Sequence, residues 1–217
     1  MSAPVVDACS IRITPMEEAD ILNVGRLHRE AMPWSILSKM GAGFAGRFIR
    51  WIQEQEHSQV WVAKSADGRV LGIAGATLDR PRIYREIVRK HAVAIACSVL
   101  MNLWRPGVLV WLGRALRGRL RPLPDVSRVV PRPAAEGLFL ALVEEARGSG
   151  LALRLCDERE SAFRAWGLIG PYVILTLSTN KRVHAFHTKR GCKLVAQVPT
   201  RGHLIYEFHK ELPPDDT

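Results

Sequence analysis

The feature that most constrains the fold is an apolar strand that runs through a glycine-containing turn into a helix. Residues Glu136 to Val143 are strongly apolar and predict a buried strand. The turn Arg147-Gly148-Ser149-Gly150 follows, and helical periodicity runs from Leu151 to Trp166. Glycines let an anion approach the main chain, and the free N–H groups and dipole of a helix N-terminus attract it. This segment therefore predicts a site that can bind a pyrophosphate.

Two better-known phosphate motifs do not fit this turn. A P-loop requires Gly-Lys-Ser or Gly-Lys-Thr at the start of the helix, and none stands there. A dinucleotide-binding fingerprint requires a glycine or alanine three residues after Gly150, where Leu153 stands. The turn is therefore either a pyrophosphate site of another kind or a glycine turn that binds nothing.

The order of predicted elements indicates a mixed α/β fold. A strand at 10–13 precedes two helices, one opening at Thr14-Pro15 and the other capped by Ser35. Two strands at 60–63 and 70–76 are joined by an Asp-Gly turn. After a helical insertion, the chain continues as strand, helix, strand, helix and a final hairpin with strands at 194–198 and 203–208. With no linker between two cores, residues 1–217 are predicted to form a single domain.

A second motif follows the strand Tyr172 to Leu177. It reads Asn180-x-x-Val183-x-x-Phe186-His187-x-x-x-Gly191-Cys192. Together, the two segments make the chain resemble the GCN5-related N-acetyltransferase (GNAT) superfamily over nearly its whole length. That family has Arg/Gln-x-x-Gly-x-Gly/Ala after a strand, matched by Arg147, Gly150 and Ala152. It also has Asn-x-x-Ala-x-x-Phe-Tyr-x-x-x-Gly-Phe, matched by Asn180, Phe186 and Gly191, whereas Val183, His187 and Cys192 depart from it.

The resemblance implies a fold, a cosubstrate and a reaction. The fold would be a mixed, mostly antiparallel central sheet with a splayed strand pair and flanking helices, interrupted by a helical insertion at about 80–121. The reaction would be direct transfer of an acetyl group from acetyl-CoA to a primary amine in a ternary complex. The residues implied to hold acetyl-CoA are Leu142, Val143, Arg147, Gly148, Ser149, Gly150, Leu151, Ala152 and Asn180.

Two residues are the candidates for proton transfer. Glu136, eleven residues before Arg147, is the candidate general base, because a carboxylate beside an apolar strand can have a raised pKa. The alternative is a solvated glutamate at the end of a strand. His187 stands where the family usually has a tyrosine that protonates the departing thiolate. It could act as an imidazolium acid, hydrogen-bond the sulfur, or only pack.

The positive charge is concentrated in one part of the chain. The 217 residues carry a net charge of +10 and are 47% hydrophobic, which excludes a wholly disordered chain or a fibre. Residues 80–121, called the insertion here, hold ten basic residues and only one acidic residue, Glu86, and a proline-rich loop follows to residue 133. Its stretch 92–112 is interrupted by Asn102 and Arg105-Pro106, which predicts a buried or surface-lying helical hairpin rather than a membrane span.

Several functions remain open at this point. The four cysteines form no CxxC pair and the histidines no spaced cluster, so no metal site is predicted. The N-terminus has no signal-peptide pattern, and a reducing, cytoplasmic location is expected. The acceptor could be a small molecule, a sugar amine or a peptide or protein amine, possibly acidic. Alternative functions are a basic nucleic-acid or membrane-surface binding protein and a non-catalytic module that senses acyl-CoA. For the acetyltransferase, nucleic acid is not the expected partner, whereas contact of the basic insertion with a membrane surface and a homodimer stay open.

Overall fold

The computed structural model describes residues 11–110, 113, 132–200 and 203–212. The strands are β1 Arg12–Pro15, β2 Ser58–Lys64, β3 Val70–Thr77, β4 Glu136–Leu142, β5 Pro171–Leu177, β6 Lys193–Thr200 and β7 His203–Glu211. The helices are α1 Ile21–Ala31, α2 Ile36–Lys39, α3 Ala42–Gln53, α4 Arg80–Met101, α5 Leu151–Ala165 and α6 Lys181–Lys189. Much of the basic insertion beyond residue 110, and the proline-rich loop up to residue 131, lie outside the described residues.

The strands form one mixed sheet in the order β1-β2-β3-β4-β5-β7-β6. Every neighbouring pair is antiparallel except β4 and β5, which are parallel. Apolar residues of α1, α3 and α4 pack on one side of the sheet, here called the front face. Residues of α5 pack on the other side, the back face, together with Phe208, against which α6 places His187. The predicted fold class is confirmed.

The sequence prediction was wrong at the first helix. Thr14 and Pro15 were expected to open it, but both belong to β1, where Thr14 pairs with Val62 and Pro15 with Trp61. A short 3-10 turn at Glu18–Asp20 follows, and α1 begins only at Ile21. Pairing at the sheet edge thus outweighs the local preference of a Thr-Pro pair for a helix start, because proline is also tolerated in an edge strand.

The helix predicted from Ser35 is divided in two. Ser35 does cap α2, since its hydroxyl oxygen accepts a hydrogen bond from the N–H of Leu37 at 3.3 Å. Gly41 then adopts a φ of 101°, which ends α2 after four residues and allows α3 to start in a new direction. The helix of the insertion, α4, is continuous from Arg80 to Met101 with a kink at His91. No helix in the described ranges is long and apolar enough to cross a membrane.

Candidate functional site

The centre of the sheet opens between β4 and β5. Within the described residues these parallel strands pair only at Glu136 with Val173 and at Gly137 with Ile174. On its other edge β4 stays paired with β3 as far as Leu142, but the register shifts so that Leu138 is an extra residue between Gly137 and Phe139. The β-bulge and the start of the gap therefore coincide at Leu138. Alternate main-chain groups of β4 beyond this point face the gap and not a neighbouring strand.

The predicted phosphate turn lies at the open end of this gap. Gly148 and Gly150 have φ values of 90° and 84°, a backbone conformation that favours glycine. The N–H groups of Leu153 and Arg154 donate to the carbonyl oxygen of Gly150. The N–H groups of Leu151 and Ala152 precede this ladder and have no partner within the helix, and the Leu151 N–H donates to the hydroxyl oxygen of Ser149 at 3.4 Å. The Ser149 hydroxyl donates to the carbonyl of Ala146 at 2.8 Å and holds the turn in place.

A cavity of about 370 Å³ adjoins the turn. Three of the residues predicted to hold the cosubstrate line it, namely Leu142, Val143 and Arg147. The end of α1 forms its opposite wall with Leu27, Glu30 and Ala31, and an ion pair between Arg69 and Glu145 lies at its edge. The volume is within the range of small-molecule sites. The structure thus brings the end of β4 and Arg147, the first residue of the turn, together around one cavity, which residues 148–152 do not line.

Glu136 is buried on the front face, at the closed end of the gap. Arg132 Nη2 lies 2.6 Å from its Oε2, and Arg80 Nε lies 3.5 Å from its Oε1. Burial raises the pKa of this carboxyl, and the two guanidiniums oppose that shift. The solvated strand-end glutamate considered from the sequence is therefore not what the structure shows.

Two residues near Glu136 were not predicted from the sequence. Val173 pairs with Glu136 on one side and with His209 on the other, so both side chains lie on the front face. His209 Nε2 lies 2.9 Å from Oε1 of Glu207, which is also buried. Arg132 lies between the two carboxylates, 4.0 Å from Glu207. These positions follow from strand register, which the sequence alone does not provide.

His28 is a second buried histidine on the front face. It projects from α1 and makes an edge contact with Phe139, the residue after the bulge, with ring centroids 6.2 Å apart. Its Nδ1 is 3.2 Å from the hydroxyl of Ser38 on α2. Burial lowers its pKa from 6.5 to about 4, so the ring is neutral at pH 7. The position of His28 in the sequence gave no sign that it would be buried beside Phe139.

His187 lies on the back face and is buried. Its Nδ1 has no hydrogen-bond partner among the described residues. Burial, and next the positive charge of Arg159, lower its pKa to about 3. Of the roles considered from the sequence, this environment disfavours an imidazolium acid at neutral pH and agrees with a neutral ring that packs or hydrogen-bonds.

Arg159 is a buried arginine beneath the start of the gap. Its Nη2 lies 3.3 Å from the hydroxyl of Tyr172 and 3.4 Å from Sγ of Cys156. A β-carbon added to Gly137 would be only 2.6 Å from Nη1, so the guanidinium lies against the main chain of β4. The sequence pattern of α5 gave no reason to select an arginine at a core position, where this residue type is seldom found.

Asn180 lies where the chain leaves β5 and enters α6. Its side-chain oxygen accepts a hydrogen bond from the N–H of Val183 at 3.3 Å and so caps the helix. Its amide nitrogen is then the group that could contact a ligand. Across the described part of the chain, no cluster of three or more histidine, cysteine or carboxylate side chains could hold a metal ion.

Solved structures with the same arrangement identify the fold. An acetyltransferase from Kribbella flavida described as GCN5-related superposes with a TM-score of 0.58 at 16% identity, over 95% of this chain and 100% of its own. The chain has the GNAT fold. The protein SsHAT matches with a TM-score of 0.64 at 17% identity, over 93% and 98% of the two chains. NAA60 from Arabidopsis thaliana, solved with a bisubstrate analogue, matches with 0.56 at 13%, over 94% and 99%.

These likenesses are at the level of structure. No protein-family model and no curated protein matches the sequence. At 13 to 17% identity, the solved structures establish the GNAT fold of this chain, and its chemistry must be argued from its own residues.

Proposed function

We propose that this chain is an N-acetyltransferase that binds acetyl-CoA along β4 and transfers the acetyl group directly to a primary amine. The observation that carries the proposal is that the bulge of β4 and the start of the gap coincide at Leu138. The glycine turn follows the end of the same strand. A strand edge that is open over this length can pair with an extended amide-containing molecule. The pantetheine arm of coenzyme A is such a molecule, and it ends in a pyrophosphate.

The binding residues have distinct roles in this proposal. Leu142 pairs through its main chain with the pantetheine amides, whereas Val143, whose N–H donates to the carbonyl oxygen of Leu71 at 2.9 Å, lines the cavity beside the arm. The N–H groups from Gly148 to Ala152, with the Arg147 guanidinium, bind the pyrophosphate oxygens. The Asn180 amide contacts the arm from the β5 side. The fit is supported by the glycine conformations and by the cavity that Leu142, Val143 and Arg147 line.

The acceptor approaches from the front face. The thioester supplies an activated acetyl group. The amine, after losing a proton to a general base, attacks the thioester carbon, so that a C–N bond forms, the C–S bond breaks, and coenzyme A leaves as a thiolate that takes a proton from water. Glu136 is the base, since it is a buried carboxylate with a raised pKa beside the start of the gap. A main-chain N–H of β4 near Leu138 donates to the oxygen on which negative charge develops. On the back face, neutral His187 donates a hydrogen bond to the departing sulfur.

Calorimetry with acetyl-CoA and the full chain tests the binding step. The wild type should bind, and Gly150→Glu should weaken binding at least tenfold, because it adds a negative charge where the pyrophosphate binds. Gly167→Glu is the matched control, since Gly167 also has a positive φ of 72° with open space around it but lies at the far end of α5. Absence of binding by the wild type, or equal loss in both variants, would contradict the proposal.

Turnover distinguishes an enzyme from an acyl-CoA-sensing module. Release of free coenzyme A should depend on an added amine drawn from a panel of small amines, amino sugars and peptides. Glu136→Gln should abolish that release while acetyl-CoA binding is retained. Binding without release for every amine in the panel would favour the sensing module.

A further inference from the structure

The outer half of α4 exposes apolar side chains that a globular domain normally buries. Val93 is 77% exposed, Leu100 65%, Met101 75% and Trp104, just beyond the helix, 75%. Positions 93, 97, 100 and 101 follow helical spacing, so they share one side of α4, and Trp104 lies in the turn that follows. These residues, with the exposed Cys97, are called the apolar stripe here.

The stripe is not the face by which α4 is attached to the domain. Ile83 and Ile87 are buried in the front core. In the outer half of α4, Ile95 packs against the same core on the side of the helix opposite the apolar stripe. Residues 106–110 are helical as well and return toward the domain, where Val108 is buried and Arg105 donates to the carbonyl of Lys39 at 3.3 Å. The hairpin is thus fixed on its inner side and apolar on its outer side. A helix that is apolar on both sides has a second partner.

Positive charges stand at both ends of the stripe. Arg89 and Lys90 precede Val93 by four and three residues. At the other end, the Arg105 guanidinium lies 5.2 Å from the centre of the Trp104 ring. The sequence continues with four arginines at 114, 117, 119 and 121 and has no acidic residue between Glu86 and Arg121. A second copy of the chain on this surface would bring Arg89, Lys90 and Arg105 near the same cations of the other copy, which opposes a symmetric dimer.

We propose that the apolar stripe and its flanking cations dock onto the surface of a membrane that contains anionic lipids. An amphipathic helix of this kind lies in the interface plane, with its apolar side chains below the headgroups and its cations beside the lipid phosphates. The helical part of the stripe, from Val93 to Met101, is about 12 Å long at 1.5 Å per residue, which suits a helix lying along the surface. Tryptophan at the rim of the stripe is also the residue type that interfaces favour. This inference does not depend on the proposed enzymatic reaction.

Vesicle flotation with the full chain tests the proposal. Vesicles with 30% phosphatidylserine in phosphatidylcholine should bind the protein, and pure phosphatidylcholine vesicles should bind it much more weakly. Leu100→Glu with Met101→Glu should lower binding at least tenfold. Ile169→Glu is the matched control, because Ile169 is 98% exposed and lies outside the insertion. Arg89→Gln with Lys90→Gln should lower binding roughly 25-fold, about fivefold for each charge.

Cys97 provides an independent reading of where the stripe lies. In a Cys9→Ser background, an environment-sensitive fluorophore on Cys97 should shift to the blue when anionic vesicles are added, since Cys97 is on the stripe and the other described cysteines are buried. The proposal would be overturned by no flotation of the wild type, or by flotation that Leu100→Glu with Met101→Glu does not reduce. It would also be overturned by a dimer that this double variant dissociates, or by tighter binding to duplex DNA or RNA than to the vesicles.

Discussion

The Arg159 guanidinium lies against Gly137, on the opposite side of β4 from the carboxylate of Glu136. A buried cation and a buried carboxylate thus flank the main chain one residue before the bulge. Each is expensive to bury alone, and each lies next to the point where β4 and β5 separate. The arrangement places opposite charges on the two faces of the strand at the proposed reaction centre.

Gly137→Ala should destabilise the protein. The added β-carbon would lie 2.6 Å from Nη1 and 3.0 Å from Cζ of Arg159, so a buried guanidinium must move. Overpacking of this kind costs about 1–3 kcal/mol in the free energy of unfolding, measured by urea denaturation. Gly43→Ala in α3 is the control, because its β-carbon meets nothing within 4 Å and should stabilise the helix slightly. Equal stability of the two variants would contradict the close approach of Arg159.

Arg159→Met should raise the pKa of His187. The charge of Arg159 is, after burial, the largest cause that lowers it. Because burial remains in the variant, the pKa should rise from about 3 but stay below the ordinary 6.5 of a histidine. Titration of the imidazole signals by NMR measures it, with Arg82→Met, at an exposed ion pair, as the control. An unchanged His187 titration would show that the two side chains are not electrostatically coupled.

Removal of Arg132 should move the pH profile of the proposed reaction. Arg132 stabilises the ionised form of Glu136, so Arg132→Gln should raise the pKa of Glu136 further above its usual range. A general base acts when deprotonated, and kcat/KM should therefore rise with pH through this pKa, at a higher pH in the variant than in the wild type. Glu136→Gln should lower kcat by about 10²–10⁴-fold. If His28 and not Glu136 were the general base, kcat/KM would instead rise with pH near the His28 pKa of about 4, and His28→Gln would abolish the activity.

Stability should fall on mild acidification because of the buried histidines. The pKa of His28 is about 4 in the folded protein and 6.5 when unfolded, so the unfolded chain binds the proton first. Stability contributed by the neutral ring is complete above pH 6.5 and is lost as the pH falls toward 4. For His28 alone the loss is about 3 kcal/mol by pH 4, of which about 2 kcal/mol falls between pH 7 and pH 5. Urea denaturation at pH 7 and pH 5 measures it, and His28→Gln should flatten the dependence whereas a change at exposed His203 should not.

The sequence predicted the parts of the fold that depend on local pattern. The strand before Arg147 and the helix that follows Gly150 are both encoded within a few neighbouring residues, and the structure has them. The bulge at Leu138 and the burial of Arg159 depend instead on which strand lies beside β4 and which helix covers it. The wrong start of the first helix has the same origin, since Thr14 and Pro15 are fixed by β2.

The burial, ion pairs and ionisation of the candidate site residues also could not be predicted from local sequence pattern. Glu136 was selected for its position, but its two guanidinium partners come from α4 and from the segment before β4. His187 was selected because it stands where the family motif has a tyrosine. Its neutral form follows from burial among residues of α5 and β7. Titration behaviour is set by tertiary packing, which periodicity does not report.

The kink at His91 divides α4 into two halves that make different contacts. The His91 ring is stacked on Trp51, with centroids 4.1 Å apart and the planes 5° from parallel, and its backbone departs from helical values at φ −117° and ψ 22°. The inner half keeps Arg80, eleven residues before the kink, in its ion pair with Glu136, whereas the outer half packs Ile95 on the front core and carries the apolar stripe on its outer side. One change of direction therefore lets a single helix supply a cation at the centre of the sheet and an apolar surface at its far end.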